Sequence, residues 1–187
     1  KGLFDEIRQS YPQAYILGGS SAGEIYDIHV HENSLSVTAI FFEQTTLASA
    51  HKSIKSENSF SVGEELVHSL PLEGLRHIFV LADGLNTNGT ELMKGMSKHL
   101  PKNVTITGGL AGDNGKFIET LIAANNFPES KNIAAIGFYG SRFKIGYGSK
   151  SGFVPFGPER IITRSENNVL YELDGEPAFE LYKRYLG

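Results

Sequence analysis

The sequence lacks several features that would point to particular classes of protein. Its 187 residues include no cysteine, which excludes disulfides, thiolate metal ligands and a cysteine nucleophile. No apolar run approaches the roughly 20 residues that a membrane-spanning helix needs. The 17 basic and 21 acidic residues give a formal charge of −4 with no basic stripe, which argues against nucleic acid or a membrane as a partner. These absences favour a protein of a reducing compartment, and we expect a cytoplasmic one.

Glycine, in contrast, is used in a repeated pattern. The turns Gly18-Gly19-Ser20-Ser21-Ala22-Gly23-Glu24 and Gly108-Gly109-Leu110-Ala111-Gly112-Asp113 each place a diglycine after an apolar strand, then Ala-Gly and a carboxylate. A further apolar stretch follows each turn, at 38–42 and at 134–138. We therefore predict two pseudo-repeats, about 1–60 and 75–150, each built from a helix, a strand, a glycine loop and antiparallel strands.

The hydrophobic periodicity predicts an α+β fold with mixed sheets. In the first half, a helix ends before Pro12, a strand covers 14–17, and 24–31 forms a hairpin with 35–42. A strand over 47–54 precedes a helix that begins with the capping-box pair Ser61 and Glu64.

The segment 77–107 is predicted to be a parallel βαβ unit. A continuous apolar run at 77–82 precedes a helix capped by Asn88, and a second strand follows at 104–107. Because the carboxyl ends of parallel strands meet at one edge, the loop after Asp83 and the glycines at 108–109 should lie close together. Ligands of parallel sheets bind at such an edge, where Asn86 and helix amides could also meet an anionic group.

The last part of the chain is predicted to hold two antiparallel pairs of strands and a helix. The first pair is 132–139 with 143–148, and the second is 159–165 with 169–173. Asp174 is the expected cap of a final helix with Pro177 in its first turn. We assign 1–150 to one domain and 151–187 to the truncated start of a second.

A hydrolase motif is present but its context is unfavourable. Gly19 to Gly23 spells Gly-x-Ser-x-Gly with Ser21 as the nucleophile, yet the following residues alternate like a strand, whereas a nucleophile elbow needs a helix. The second turn has Leu110 at the corresponding position. A serine hydrolase using Ser21 stays open as an alternative.

Phosphate and metal motifs are weaker still. Lys116 follows a glycine but lacks the remainder of a Walker loop, and no helix pattern follows the glycines at 146 and 148. His29 and His31 share one face of a strand without a third ligand, so we expect surface histidines and no metal. No cofactor is predicted.

Four blocks in order make the sequence resemble the FIST domain. They are the two glycine turns, Asp83-Gly84-Leu85-Asn86 with Asn88-Gly89, and a distal block over 168–178 that resembles the opening of that module's C-terminal half. FIST domains occur in bacterial signal-transduction proteins and some F-box proteins, and are proposed sensors of small ligands such as amino acids. The resemblance implies a binding module that is not an enzyme, whose partners are a small-molecule ligand, the missing C-terminal half and a signalling output domain.

We therefore expect a cytoplasmic sensory domain that binds a small polar metabolite. Asp83, Glu24 or Asp113 would pair with an ammonium group, while diglycine amides and Asn86 would hold a carboxylate or amide. A scaffold whose glycine loops shape a protein–protein surface is a further alternative. The predicted ligand-binding residues are Gly18, Gly19, Ser20, Ser21, Gly23, Glu24, Asp83, Asn86, Gly108, Gly109, Gly112 and Asp113.

Overall fold

A computed structural model describes residues 2–54, 58–149, 152, 154–155 and 157–186 of the chain. The chain divides into two compact units, 1–147 and 148–187. The predicted domain boundary at 150/151 itself lies outside the described residues. Each unit combines helices and strands, so the predicted α+β fold is confirmed.

The first unit contains three helices and eight strands in its described part. In chain order these are α1 (Gly2–Ser10), β1 (Leu17–Gly19), β2 (Glu24–Tyr26), β3 (His29–His31), β4 (Thr46–Ser53), α2 (Ser59–His68), β5 (Leu75–Ala82), α3 (Gly89–Lys98), β6 (Thr105–Leu110), β7 (Ile122–Ala124) and β8 (Asn132–Tyr139).

A four-stranded mixed sheet forms the centre of this unit. Its strand order is β4-β8-β5-β6, in which β5 and β6 are parallel and the other neighbours are antiparallel. Helix α3 connects the two parallel strands, so the predicted βαβ unit is confirmed. The run at 77–82 is largely apolar because both faces of β5 pack into cores, with Ile78, Val80 and Ala82 in one and Leu81 in the other.

Helices α2 and α3 cover one face of the sheet at close range. A side chain at Gly95 would overlap the Phe60 carbonyl oxygen, and one at Gly63 would lie 2.5 Å from the Leu92 carbonyl oxygen. These glycines let the helix backbones touch and bury a core between helices and sheet. That core includes Leu66, Val67, Ile78, Met96 and Ile133.

The opposite face carries a smaller core under the short ribbon of β1 and β7. These strands pair antiparallel, with Gly18 opposite Ala123 and Gly19 opposite Ile122. Ile122 packs with Ala134 of the main sheet and is fully buried. The first glycine turn is thereby fixed against the sheet that carries the second.

The predicted hairpin of 24–31 with 35–42 is wrong. Strand β2 pairs instead with β3, three residues further on, through a turn in which Asp27 has a positive φ of 55°. Because β2 finds its partner locally, 35–42 has no strand to pair with and forms no regular structure. The strand proposed at 38–42 as the repeat of 134–138 is therefore absent, whereas 134–138 lies within β8.

Three local details also differ from the sequence-based expectations. Helix α2 is capped by Asn58, whose side chain accepts a hydrogen bond from Ser61 N, and so begins earlier than the predicted Ser61 cap. The second glycine pair lies inside β6, since the parallel register with β5 continues to Leu110. The segment 143–148 forms no strand.

The second unit holds a three-stranded antiparallel sheet and one helix in its described part. The elements are β9 (Ile162–Glu166), β10 (Val169–Leu173), β11 (Glu176–Pro177) and α4 (Ala178–Leu186). The predicted hairpin is confirmed, although its first strand begins at Ile162. Asp174 does not cap α4: it occupies the β10–β11 turn with φ 53° and accepts a hydrogen bond from Ile161 N.

Candidate functional site

The three loops singled out by the sequence meet at one edge of the central sheet. Ala111 N donates to Ala82 O at 2.8 Å, which joins the loop after β6 to the loop after β5. Gly112 N donates to Ser20 O at 3.0 Å, which joins the same loop to the first glycine turn. The expected proximity of the Asp83 and Gly108 loops is thus confirmed.

Close backbone approach explains two of these glycines. A side chain at Gly84 would overlap the Ala111 carbonyl oxygen, and one at Gly108 would overlap the Val80 carbonyl oxygen. Gly109 differs, because a Cβ there would have no neighbour within 4 Å. Gly84 therefore permits the close approach of two loops, and Gly108 permits the close approach of β6 to β5.

Asp83 lies at the centre of the cluster and is fully buried. Its Oδ1 accepts hydrogen bonds from Thr120 Oγ1 at 2.6 Å and Leu85 N at 2.9 Å, and its Oδ2 accepts from Lys131 N at 2.6 Å. Asn86 adds bonds from its backbone N and from its side-chain amide, which reaches both oxygens. Burial by itself raises the pKa of Asp83, but the bonds from Thr120, Lys131 and Asn86 outweigh it and hold the pKa below its ordinary value.

This arrangement corrects the expected role of Asp83. A carboxylate with no exposed surface and donors on both oxygens cannot meet the ammonium group of a ligand. The Asn86 amide is likewise turned toward Asp83. Asp83 instead holds together the loops that begin at Gly84, Thr120 and Lys131. Sequence reasoning missed Thr120, since nothing in the spacing connects it to a residue 37 positions earlier.

A polar cleft of about 450 Å³ opens beside this cluster. It is lined by six of the predicted residues, namely Gly19, Ser20, Ser21, Gly23, Glu24 and Asp113. It is also lined by residues that were not predicted, among them Glu32, Asn33, Ser34, Lys116 and Glu119. The other six predicted residues, Gly18, Asp83, Asn86, Gly108, Gly109 and Gly112, do not line it. The predicted set thus divides into a wall of the cleft and a framework behind it.

Glu24 is the best-organised charged group of the cleft. Ser34 Oγ donates to its Oε2 at 2.6 Å and Ser21 Oγ donates to its Oε1 at 2.7 Å. These hydrogen bonds, that of Ser34 first, hold the pKa of Glu24 below its ordinary value, so the group is an anion at neutral pH. Ser34 was missed because it lies between the segments 24–31 and 35–42, which were wrongly predicted to pair.

Asp113 shapes the opposite wall. Its Oδ2 accepts hydrogen bonds from Ile118 N at 2.7 Å and Glu119 N at 3.3 Å, and the bond from Ile118 is the main cause that lowers the pKa of this carboxyl. The cleft lining includes four carboxylates, those of Glu24, Glu32, Asp113 and Glu119, and a single basic side chain, that of Lys116. The cleft therefore carries a negative charge that favours cationic groups.

The geometry around Ser21 does not form a nucleophile elbow. Strand β2 follows this serine where an elbow needs a helix, and Ser21 Oγ donates to Glu24. No histidine is among the described residues that line the cleft.

Among the described residues, the metal and phosphate motifs form no binding site. His29 and His31 are exposed on β3, and among the described residues no three His, Cys, Asp or Glu side chains are grouped to hold a metal ion. Gly115 occupies a turn with φ 72°, and 146–148 has no regular structure. In the described parts of the chain, every helix is too short or too polar to cross a bilayer.

Comparisons with known proteins identify the family of the chain. Residues 1–176 match the FIST N domain, which is most of the chain. An uncharacterized protein of Methanocaldococcus jannaschii is 24% identical over 198 aligned positions, which cover all of this chain and 38% of that protein. The chain thus spans well under half the length of this curated relative. Since the match includes all three loops of the cluster, the chain belongs to the FIST N domain family, a family of sensory domains in signal transduction.

Proposed function

We propose that the polar cleft is the ligand-binding site of this sensory domain and that its ligand is a small polar metabolite with a cationic group, such as an amino acid. The observation that carries the proposal is that the first glycine turn and Asp113 of the second line one cleft, in which two hydrogen bonds hold the ionised carboxylate of Glu24 in place. A prearranged anion in a partly enclosed space binds a cation without the cost of ordering a free side chain.

Glu24 keeps capacity for a ligand although both oxygens already accept a serine hydroxyl. Each carboxylate oxygen has two acceptor positions, so one remains on each after the bonds from Ser21 and Ser34. An ammonium group would occupy these positions. Lys116 stands in the same cleft and would face the carboxylate of an amino acid.

Three of the other predicted residues act behind this wall. Asp83, Asn86 and Gly108 fix the positions of the loops and of β6. A ligand that displaces residues of the cleft would therefore move loops that are joined directly to the central sheet. We further propose that the domain works in the cytoplasm as a part of a longer protein, and that an output domain reads its state.

Thermal-shift screening against amino acids and related metabolites tests this function. We expect a stabilising compound whose affinity falls about tenfold or more in Glu24→Gln, since a charged hydrogen bond is lost. Glu65→Gln is the matched control, because Glu65 is an exposed glutamate of α2 outside the cleft. If no compound stabilises the protein, or if Glu24→Gln binds as tightly as the control, the proposal is wrong.

A further inference from the structure

A second cavity of about 1000 Å³ lies next to the polar cleft. One side is formed by the apolar stripe of α1, which includes Leu3, Phe4 and Ile7, and the other by residues of the segment 35–47. None of the described residues that line this groove carries a charge, and most are aliphatic or aromatic. We call this cavity the apolar groove. Its composition is that of a site for hydrocarbon.

The floor of the apolar groove is made of small residues. Gly18 and Ala123 are direct partners across the β1–β7 ribbon, so they share one of its faces. A Cβ added at Gly18 would meet only Ala123 Cβ, at 3.9 Å, and the space above Gly18 is open. The opposite face of the ribbon, with Ile122, is packed into the core. Larger side chains at these two positions would narrow the groove at its floor.

The apolar groove and the polar cleft are contiguous. Gly19, Ser20 and Leu35 line both, because the end of β1 forms a wall of each. A carboxylate-rich cleft thus borders an uncharged groove, and three residues belong to both linings. The outer wall of the groove leaves large apolar side chains in water, such as Ile40 at 68% and Phe41 at 88% exposure. Such surface is costly to expose and marks a binding site.

We propose that the ligand is amphipathic, with its polar head in the cleft and an unbranched aliphatic chain in the apolar groove. This inference rests on the proposed function, because the cleft must hold the head. It adds the class of ligand: an α-amino acid or related amine with a hydrocarbon tail. A freely exposed tail would contribute nothing to binding, whereas each buried methylene should tighten binding about threefold to fourfold.

Calorimetric titration with a homologous series tests the proposal. The probes are alanine, α-aminobutyrate, norvaline, norleucine and α-aminooctanoate, which share one head and differ only in chain length. We expect the affinity to rise with each methylene in the unmodified protein. Gly18→Val, which narrows the groove at its floor and suits a strand, should weaken this rise. Ile40→Ser should reduce it, whereas Ile28→Ser, at a residue of 84% exposure outside the groove, should not.

The outcomes separate this inference from the proposed function. Binding that depends on Glu24 but not on chain length would overturn the amphipathic ligand and leave the cleft intact. If the affinity rises with chain length but Glu24→Gln lowers the affinity of no probe, the cleft is not the site of the head. If no probe binds, both proposals fail. A dimer abolished by Ile40→Ser alone, without a chain-length effect, would assign the groove to a second copy of the chain.

Discussion

The substitution Asp83→Asn tests whether the buried carboxylate holds the three loops together. It changes the size of the side chain little but replaces one acceptor oxygen by an NH2 donor. In the native protein Oδ1 receives Thr120 and two backbone N–H groups, while Oδ2 receives Lys131 N at 2.6 Å. Whichever way the new amide turns, its NH2 must face a donor. At least one buried N–H or O–H is left without an acceptor.

The expected cost follows from the contacts that are lost. A hydrogen bond to a charged group contributes about 1.5–3 kcal/mol, and the bonds that survive in the variant are made to a neutral acceptor. We therefore expect Asp83→Asn to lower the free energy of unfolding by about 2–4 kcal/mol. Because the pKa of Asp83 is held below its ordinary value of 3.8, this contribution is complete above that pH and is lost as the pH falls through the folded-state pKa. The deficit of the variant should shrink in that acidic window.

Urea unfolding followed by far-ultraviolet circular dichroism measures the difference. Asp113→Asn is the matched control: Asp113 accepts hydrogen bonds from Ile118 N and Glu119 N on Oδ2, and an asparagine can keep these two bonds with its remaining oxygen. We expect a change within about 0.5 kcal/mol for this variant. If Asp83→Asn costs less than about 1 kcal/mol, or no more than Asp113→Asn does, the Asp83 carboxylate does not hold the three loops together.

Three further predictions concern the packing around two glycines and the titration of a buried histidine. Gly95→Ala should destabilise the protein by about 1–3 kcal/mol in the same assay, because its Cβ would overlap the Phe60 carbonyl oxygen, and an unchanged midpoint would contradict this. Gly109→Ala, whose Cβ meets no neighbour within 4 Å, should leave the free energy of unfolding nearly unchanged. A large loss of stability would contradict this prediction. Burial lowers the pKa of His77, which is bonded to Thr105 Oγ1 at 2.8 Å, so below about pH 6.5 the unfolded chain gains a proton that the folded chain does not. The free energy of unfolding should fall as the pH drops through that value, and it should fall less in His77→Gln. Equal pH profiles of the two proteins would show that His77 is not the cause of the fall.

Part of the candidate site could be predicted from the sequence, and part could not. The parallel pairing of β5 and β6 could be predicted from an apolar run, a capped helix and a second run, and it placed the Asp83 loop beside Gly108. The direction of the Asp83 side chain could not be predicted. An aspartate at the end of a strand has the same sequence signature whether it faces a ligand or Lys131 N, and only the packing of distant loops decides between them.

The segment 35–42 shows the same limit in secondary structure. Its alternating apolar residues fit a strand, but a strand exists only with a partner, and the turn at Asp27 gives β2 a nearer one. The apolar groove followed from that outcome and had no direct signal in the sequence. The stripe on α1 was visible, yet nothing indicated that it would face 35–47 across an open space.

The sequence by itself determined the α+β class, the βαβ unit, the glycine loops and the family, because these depend on periodicity and on residue types at short spacing. The tertiary structure alone decided which side chains meet. It turned Asp83 and Asn86 inward, presented Glu24 and Asp113 to a shared cleft, and set an uncharged groove against that cleft. The physical reason is that hydrogen bonds and apolar contacts between residues far apart in the chain fix these directions. A buried carboxylate goes where donors can satisfy it, whatever its neighbours in sequence suggest.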